Sequence, residues 1–146
     1  PMTILEFSLD LPAQPNQLMK LTEDYENLPK YLPDQLKSVR IIEKNETETK
    51  TEETIVFSTL IKKEIIQQAL HKKISDNKLN TEIISGPAKG TMIYTIFETN
   101  NSGSKIIIET DLKLILKAKI FLPLIKKFYK TVLTAVFYKM NNMIES

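Results

Sequence analysis

The chain has 146 residues, of which 42% are hydrophobic and 26% charged, with a formal net charge of +2, no cysteine and one histidine. This composition fits one globular domain over residues 1–146, long enough to bury a core. It excludes a disulfide framework, thiol catalysis and cysteine-based zinc sites, and so small a charge makes no electrostatic case for nucleic acid.

Met2, behind Pro1, reads as the natural start. No basic, apolar and cleavage-site sequence precedes the first structured segment, so the expectation is a cytoplasmic protein. From Thr3 to Leu11 the sequence alternates, with Leu5, Phe7, Leu9 and Leu11 on one side and Glu6, Ser8 and Asp10 on the other. That is a half-buried strand. Pro15 and Asn16 then open a short helix with Leu18, Met19 and Leu21 inward, and Pro29 and Pro33 break the next stretch into a second helical turn.

From Leu36 onward the pattern is a meander, with strands expected at 39–44, 54–61, 65–74, 79–85, 91–99 and 105–116. Turn-forming punctuation such as Asp76-Asn77, Gly86-Pro87 and Asn100-Asn101-Ser102-Gly103 separates most of them. Short connections make neighbouring strands antiparallel. In the last strand Ile106, Ile108, Thr110, Leu112, Leu114 and Leu116 share one face. A long amphipathic helix from Pro123 to about Ile144 closes the chain, its stripe formed by Phe121, Ile125, Phe128, Val132, Ala135, Val136 and Met143.

Seven strands at about 4.8 Å make a sheet about 29 Å wide, and one helix is only about 10–12 Å across. A flat sheet of that width would be left uncovered. The sheet must curl around the helix, and a curled sheet tends to leave space at its concave centre. The fold class expected is therefore α+β: a seven-stranded curved antiparallel sheet wrapped around a long C-terminal helix, with two short helices after the first strand.

Three stretches in this order resemble the helix-grip fold of the START/SRPBCC superfamily, which includes birch-pollen-allergen-like, polyketide cyclase/dehydratase and coenzyme Q-binding START proteins. They are Tyr25-Glu26-Asn27-Leu28-Pro29-Lys30-Tyr31-Leu32-Pro33, Ser85-Gly86-Pro87-Ala88-Lys89-Gly90, and Gly103-Ser104-Lys105-Ile106. The resemblance spans essentially the whole chain. It implies a hydrophobic pocket but no single activity, because this fold hosts carriers, enzymes and regulatory partners.

The pocket expected from strand and helix parity is lined by Phe57, Tyr94, Ile108, Thr110 and Leu112 of the sheet and Ile125, Phe128 and Val132 of the helix. Lys139 falls by azimuth inside the apolar stripe, where it would snorkel past the helix end, pair with a carboxylate, or meet an anionic ligand group. His71 has ambiguous strand parity, and no acid/base pair is legible, so no catalytic residue is assigned. No metal or cofactor is implied.

Between Leu112 and Ile144 stand seven lysines, Lys113, Lys117, Lys119, Lys126, Lys127, Lys130 and Lys139, and no acid, whereas Glu43, Glu46, Glu48, Glu52 and Glu53 crowd one early stretch. Lys126, Lys127 and Lys130 share the helix face opposite the stripe. They form either a solvated face or a docking surface for an anionic membrane. The leading functional expectation is binding and sequestration or transport of a hydrophobic small molecule, such as a lipid, isoprenoid or quinone-like compound. Two alternatives stay open: a cyclase/dehydratase-like enzyme, and a protein-interaction module with a vestigial pocket.

Overall fold

The computed structural model describes residues 3–58 and 62–146. Seven strands, β1 (Thr3–Leu11), β2 (Leu36–Lys44), β3 (Glu48–Ser58), β4 (Lys62–Ser75), β5 (Lys78–Ile83), β6 (Met92–Asn100) and β7 (Gly103–Leu112), form one antiparallel sheet in the order β1-β7-β6-β5-β4-β3-β2. Strands β2 to β7 are a continuous meander, and β7 returns to pair with β1. Helix α1 (Pro15–Glu23) and a 3₁₀ turn (Tyr25–Lys30) separate β1 from β2; a second 3₁₀ turn (Leu116–Phe121) leads into the 24-residue helix α2 (Leu122–Glu145).

Several boundaries differ from those the sequence leads one to expect. The second helical turn is the 3₁₀ segment Tyr25–Lys30, which contains Pro29 and ends before Pro33. Strand β3 starts at Glu48, because the polar run Glu48 to Glu53 alternates between faces as a strand does. Residues 59–61 of the expected strand lie outside the described residues. Strand β7 stops at Leu112, opposite Thr3 of β1, short of the expected end at residue 116. The Ile115 N–H then bonds to the Pro87 carbonyl and Ala118 N–H to Ile115, which turns the chain into the second 3₁₀ turn.

The closed core lies at the C-terminal half of α2. Val136, Phe137 and Met140 pack there with Leu11, Leu18, Met19 and Tyr31 and with Leu79, Phe97, Ile106 and Ile108 of the sheet. The buried stripe is therefore rotated from the expected one. Phe137 is buried, whereas Phe121 and Met143 are exposed, because α1 covers a part of α2 that the sheet alone would not. A polar clamp fastens this end. The Asn141 side chain accepts the Ala13 N–H at 2.8 Å, and Ser104 donates to the Ala13 carbonyl. Gly103, at φ 144°, packs so tightly on the Pro12 carbonyl that a Cβ would collide with it.

Two adjacent residues of α2 reveal the curl. Phe128 meets Phe57 of β3, with ring centroids 4.8 Å apart, while Tyr129 meets Phe7 of β1 edge to face at 6.4 Å. Strands β1 and β3 stand five places apart in the sheet, which would be about 24 Å if flat. Contact of both with one helix requires the sheet to wrap around it. Register shifts in β2 and β4 mark bulges, a feature that bends strands.

Candidate functional site at the concave face

The pairing register fixes which side chains face α2. Buried Ile106, Ile108, Thr110 and Leu112 set the inner face of β7; opposite them on β6 stand Phe97, Thr95 and Ile93, and from there Leu79 and Thr81 of β5, then His71, Ala69 and Gln67 of β4, follow on the same face. Thr49, Thr51, Glu53, Ile55 and Phe57 complete it on β3.

Tyr94 is not among these residues. It stands opposite Glu109 and Asn80 on the convex face, with the Lys78 ammonium 4.9 Å from its ring. The expectation of an inward Tyr94 fails because the convex face carries its own aliphatic row: Ile96 pairs with Ile107, and Met92 shares the Tyr94 side. Apolar alternation there marks the outer surface. Lys139 is likewise exposed on α2, outside the buried stripe, so neither a carboxylate nor a pocket ligand is needed to explain it.

The structure brings other expected lining residues together. Phe57 touches Phe128, and Thr110 shares a hydrogen bond with the Tyr129 hydroxyl. Burial pushes the Tyr129 phenol above its ordinary range, outweighing the opposing effect of that bond. The phenol therefore stays a hydrogen-bonding O–H at neutral pH. Ile108 belongs to the closed core and Val132 packs at its margin. Ile125 and Phe128 remain half-buried, one turn apart on the same side of the helix.

His71 points inward, and the register explains its company. It pairs with Thr49 on one side and Thr81 on the other. The Thr51 hydroxyl lies 2.8 Å from His71 Nε2 and 3.0 Å from Glu53 Oε2; Thr81 Oγ1 lies 2.7 Å from Nδ1; and Gln67 donates to Glu53 Oε1 at 2.9 Å. Glu53 Oε2 itself is 3.6 Å from Nε2. Tyr25, carried by the first 3₁₀ turn, stacks on the imidazole at 4.1 Å between centroids and 20° between planes.

Hydrogen-bond accounting assigns the protons. Thr51 has one O–H, and Glu53 can only accept, so Thr51 donates to Glu53 and receives the proton on Nε2. Nδ1 then either accepts from Thr81 or donates to it, and rotating the Thr81 hydroxyl serves both cases. Either arrangement at Nδ1 leaves the network fully hydrogen-bonded. Burial would raise the Glu53 pKa, but the hydrogen bond and charge of His71, with Gln67 and Thr51, outweigh it and hold the carboxyl below its usual range. Burial first, then the nearby Glu23 and Glu53, pushes the Tyr25 phenol above its ordinary range.

Sequence reasoning missed Glu53, Thr51, Thr81, Gln67 and Tyr25 as companions of His71. Both faces of β3 are polar, so alternation alone cannot choose between Glu52 and Glu53. The crowd of early glutamates is consequently split. Glu43, Glu48 and Glu52 pair with Lys50, Lys72 and Arg40 on the surface, while Glu53 turns inside.

A family model described as polyketide cyclase / dehydrase and lipid transport matches residues 11–141. No curated protein matches the chain. Among solved structures, the chain is similar to the Zhui aromatase/cyclase from Streptomyces sp. R1128, at 10% identity and a TM-score of 0.85, with 99% of this chain and 96% of that one covered. It is similar also to a START superfamily protein from Mycobacterium smegmatis, at 11% identity and a TM-score of 0.78 over 99% and 98% of the two chains. A third likeness is to Ara h 8.0201, at 19% identity, a TM-score of 0.71 and coverage of 96% and 98%. At these identities the likenesses establish the helix-grip fold.

Proposed function

Because the chain belongs to the polyketide cyclase/dehydrase and lipid transport family, we propose that it binds a hydrophobic small molecule, such as a lipid, isoprenoid or quinone-like compound, between the concave sheet face and α2. One observation carries this reading: the inner surface changes character along the helix. It is a closed core around Val136, Phe137 and Met140, yet Phe57, Ile93, Ile125, Phe128 and Val132 remain partly exposed further along. Glu53 and Thr81, at the edge of the buried network, supply polar atoms that would orient a ligand. Apolar walls with a few fixed polar groups are what small-molecule sites require. The test is native mass spectrometry of protein purified from its own host, combined with titration of an apolar fluorescent dye. A retained ligand that the dye displaces supports binding; a bare chain that takes up no dye removes the reading and favours an interaction module.

A second reading, an enzyme of the cyclase/dehydratase kind, draws support from the Thr81–His71–Thr51–Glu53 chain. A histidine whose hydrogen bonds accommodate both protonation states, backed by an ionised carboxylate, can accept and return a proton. His71→Gln separates the two readings: unchanged ligand retention with turnover abolished favours catalysis, and unchanged ligand retention with no turnover in either protein favours a carrier.

A further inference from the structure

The segment joining the sheet to α2 presents apolar side chains to solvent. Leu116 is 81% exposed and Ile120 78%, and Phe121 and Leu124 are about half exposed (48% and 47%). Single exposed aliphatics are ordinary, but a contiguous group marks an interaction surface. This group occupies one tip, formed by the second 3₁₀ turn and the first turn of α2. Around it stand Lys117, Lys119, Lys127 and Lys130, all exposed, and the half-exposed Lys126. Among the described residues none of these lysines forms an ion pair, whereas Glu43, Glu48 and Glu52 of β2 and β3 are matched by Lys50, Lys72 and Arg40. Lys130 instead lies over the Phe7 ring at 5.8 Å.

We infer that this tip docks the protein on an anionic bilayer, with Leu116, Ile120, Phe121 and Leu124 entering the headgroup boundary and the lysines meeting lipid phosphates. The chemistry fits that occupant: exposed apolar side chains flanked by five lysines, against the one acid Glu6 that shares a groove with Lys126, Lys127 and Lys130, match a surface whose charge is negative and whose interior is apolar. No helix among the described residues is long and apolar enough to cross a membrane, so the contact is peripheral. Ile125 and Phe128 follow the tip within one turn and a half. Docking therefore brings the partly exposed wall of the concave face next to the lipid.

Sedimentation of the full chain with phosphatidylcholine vesicles, with and without phosphatidylserine, tests this without any pocket ligand, so its outcome is independent of the binding reading. Binding should require phosphatidylserine and weaken with salt. Leu116→Ser/Ile120→Ser should reduce it at least about tenfold, and Lys126→Glu/Lys127→Glu should do likewise, at about fivefold per lysine lost. All four side chains are at least partly solvent-exposed, and circular dichroism is the check that the variants fold. Absence of vesicle binding, or equal binding to neutral and anionic vesicles, overturns the proposal. So does a dimer in solution that Leu116→Ser/Ile120→Ser converts to a monomer, which would make the tip an interface between copies.

Discussion

His71 Nε2 and the Glu53 carboxylate stand 3.6 Å apart on adjacent strands, bridged by the Thr51 hydroxyl and roofed by Tyr25. Removing the imidazole leaves the Thr51 and Thr81 hydroxyls without their hydrogen-bond partner on the inner face, at a cost of about 1–3 kcal/mol for each group left unsatisfied. His71→Ala should therefore destabilise the fold by about 3 kcal/mol or more in urea unfolding. A loss under about 1 kcal/mol would mean that water replaces the imidazole at no cost.

The same pair predicts a pH dependence. Glu53 titrates below its ordinary range in the folded chain, so its ionised form stabilises the fold at neutral pH. That contribution is lost as pH falls from the unfolded value of about 4.3 through the lowered folded value. The stability difference between the native chain and Glu53→Gln should shrink as pH falls below about 4.3. A difference that persists to about pH 2.5 would contradict the depressed titration.

Tyr129→Phe leaves the buried Thr110 hydroxyl without its partner and should cost about 1–3 kcal/mol. Tyr129→Phe combined with Thr110→Val removes both polar groups and should recover most of that loss. The double-mutant cycle reports the coupling directly.

Val132 lies where the closed core ends. Val132→Trp should fill adjoining space, lower apolar dye uptake and leave the chain folded. Unchanged uptake with a stability loss of about 1–3 kcal/mol, the cost of overpacking, would place Val132 in a filled core. Lys139→Met serves as the control, since this exposed residue should change stability by no more than about 0.5 kcal/mol.

Gly103→Ala should cost about 3 kcal/mol or more in thermal or urea unfolding, because the added methyl collides with the Pro12 carbonyl at a backbone angle that side chains avoid. A mild effect would mean that the β1 exit moves aside.

Alternation, turn residues and the final amphipathic segment were enough to determine seven strands, the antiparallel meander of the last six and the long helix, because each rests on local periodicity and short connections; the pairing of β1 with β7 joins the two ends of the sheet and came only from the tertiary structure. Sheet width against helix diameter was enough to require the curl. Parity could not decide Tyr94, since the convex face has an aliphatic row of its own, and helical azimuth could not decide Lys139, since α1 shifts which side of α2 is buried. The inner cluster belongs wholly to tertiary structure. His71, Thr51, Glu53, Thr81 and Tyr25 come from four separate segments, and only the pairing register of β3, β4 and β5, with the 3₁₀ turn laid over them, converts scattered polar residues into one hydrogen-bonded network under the Tyr25 ring.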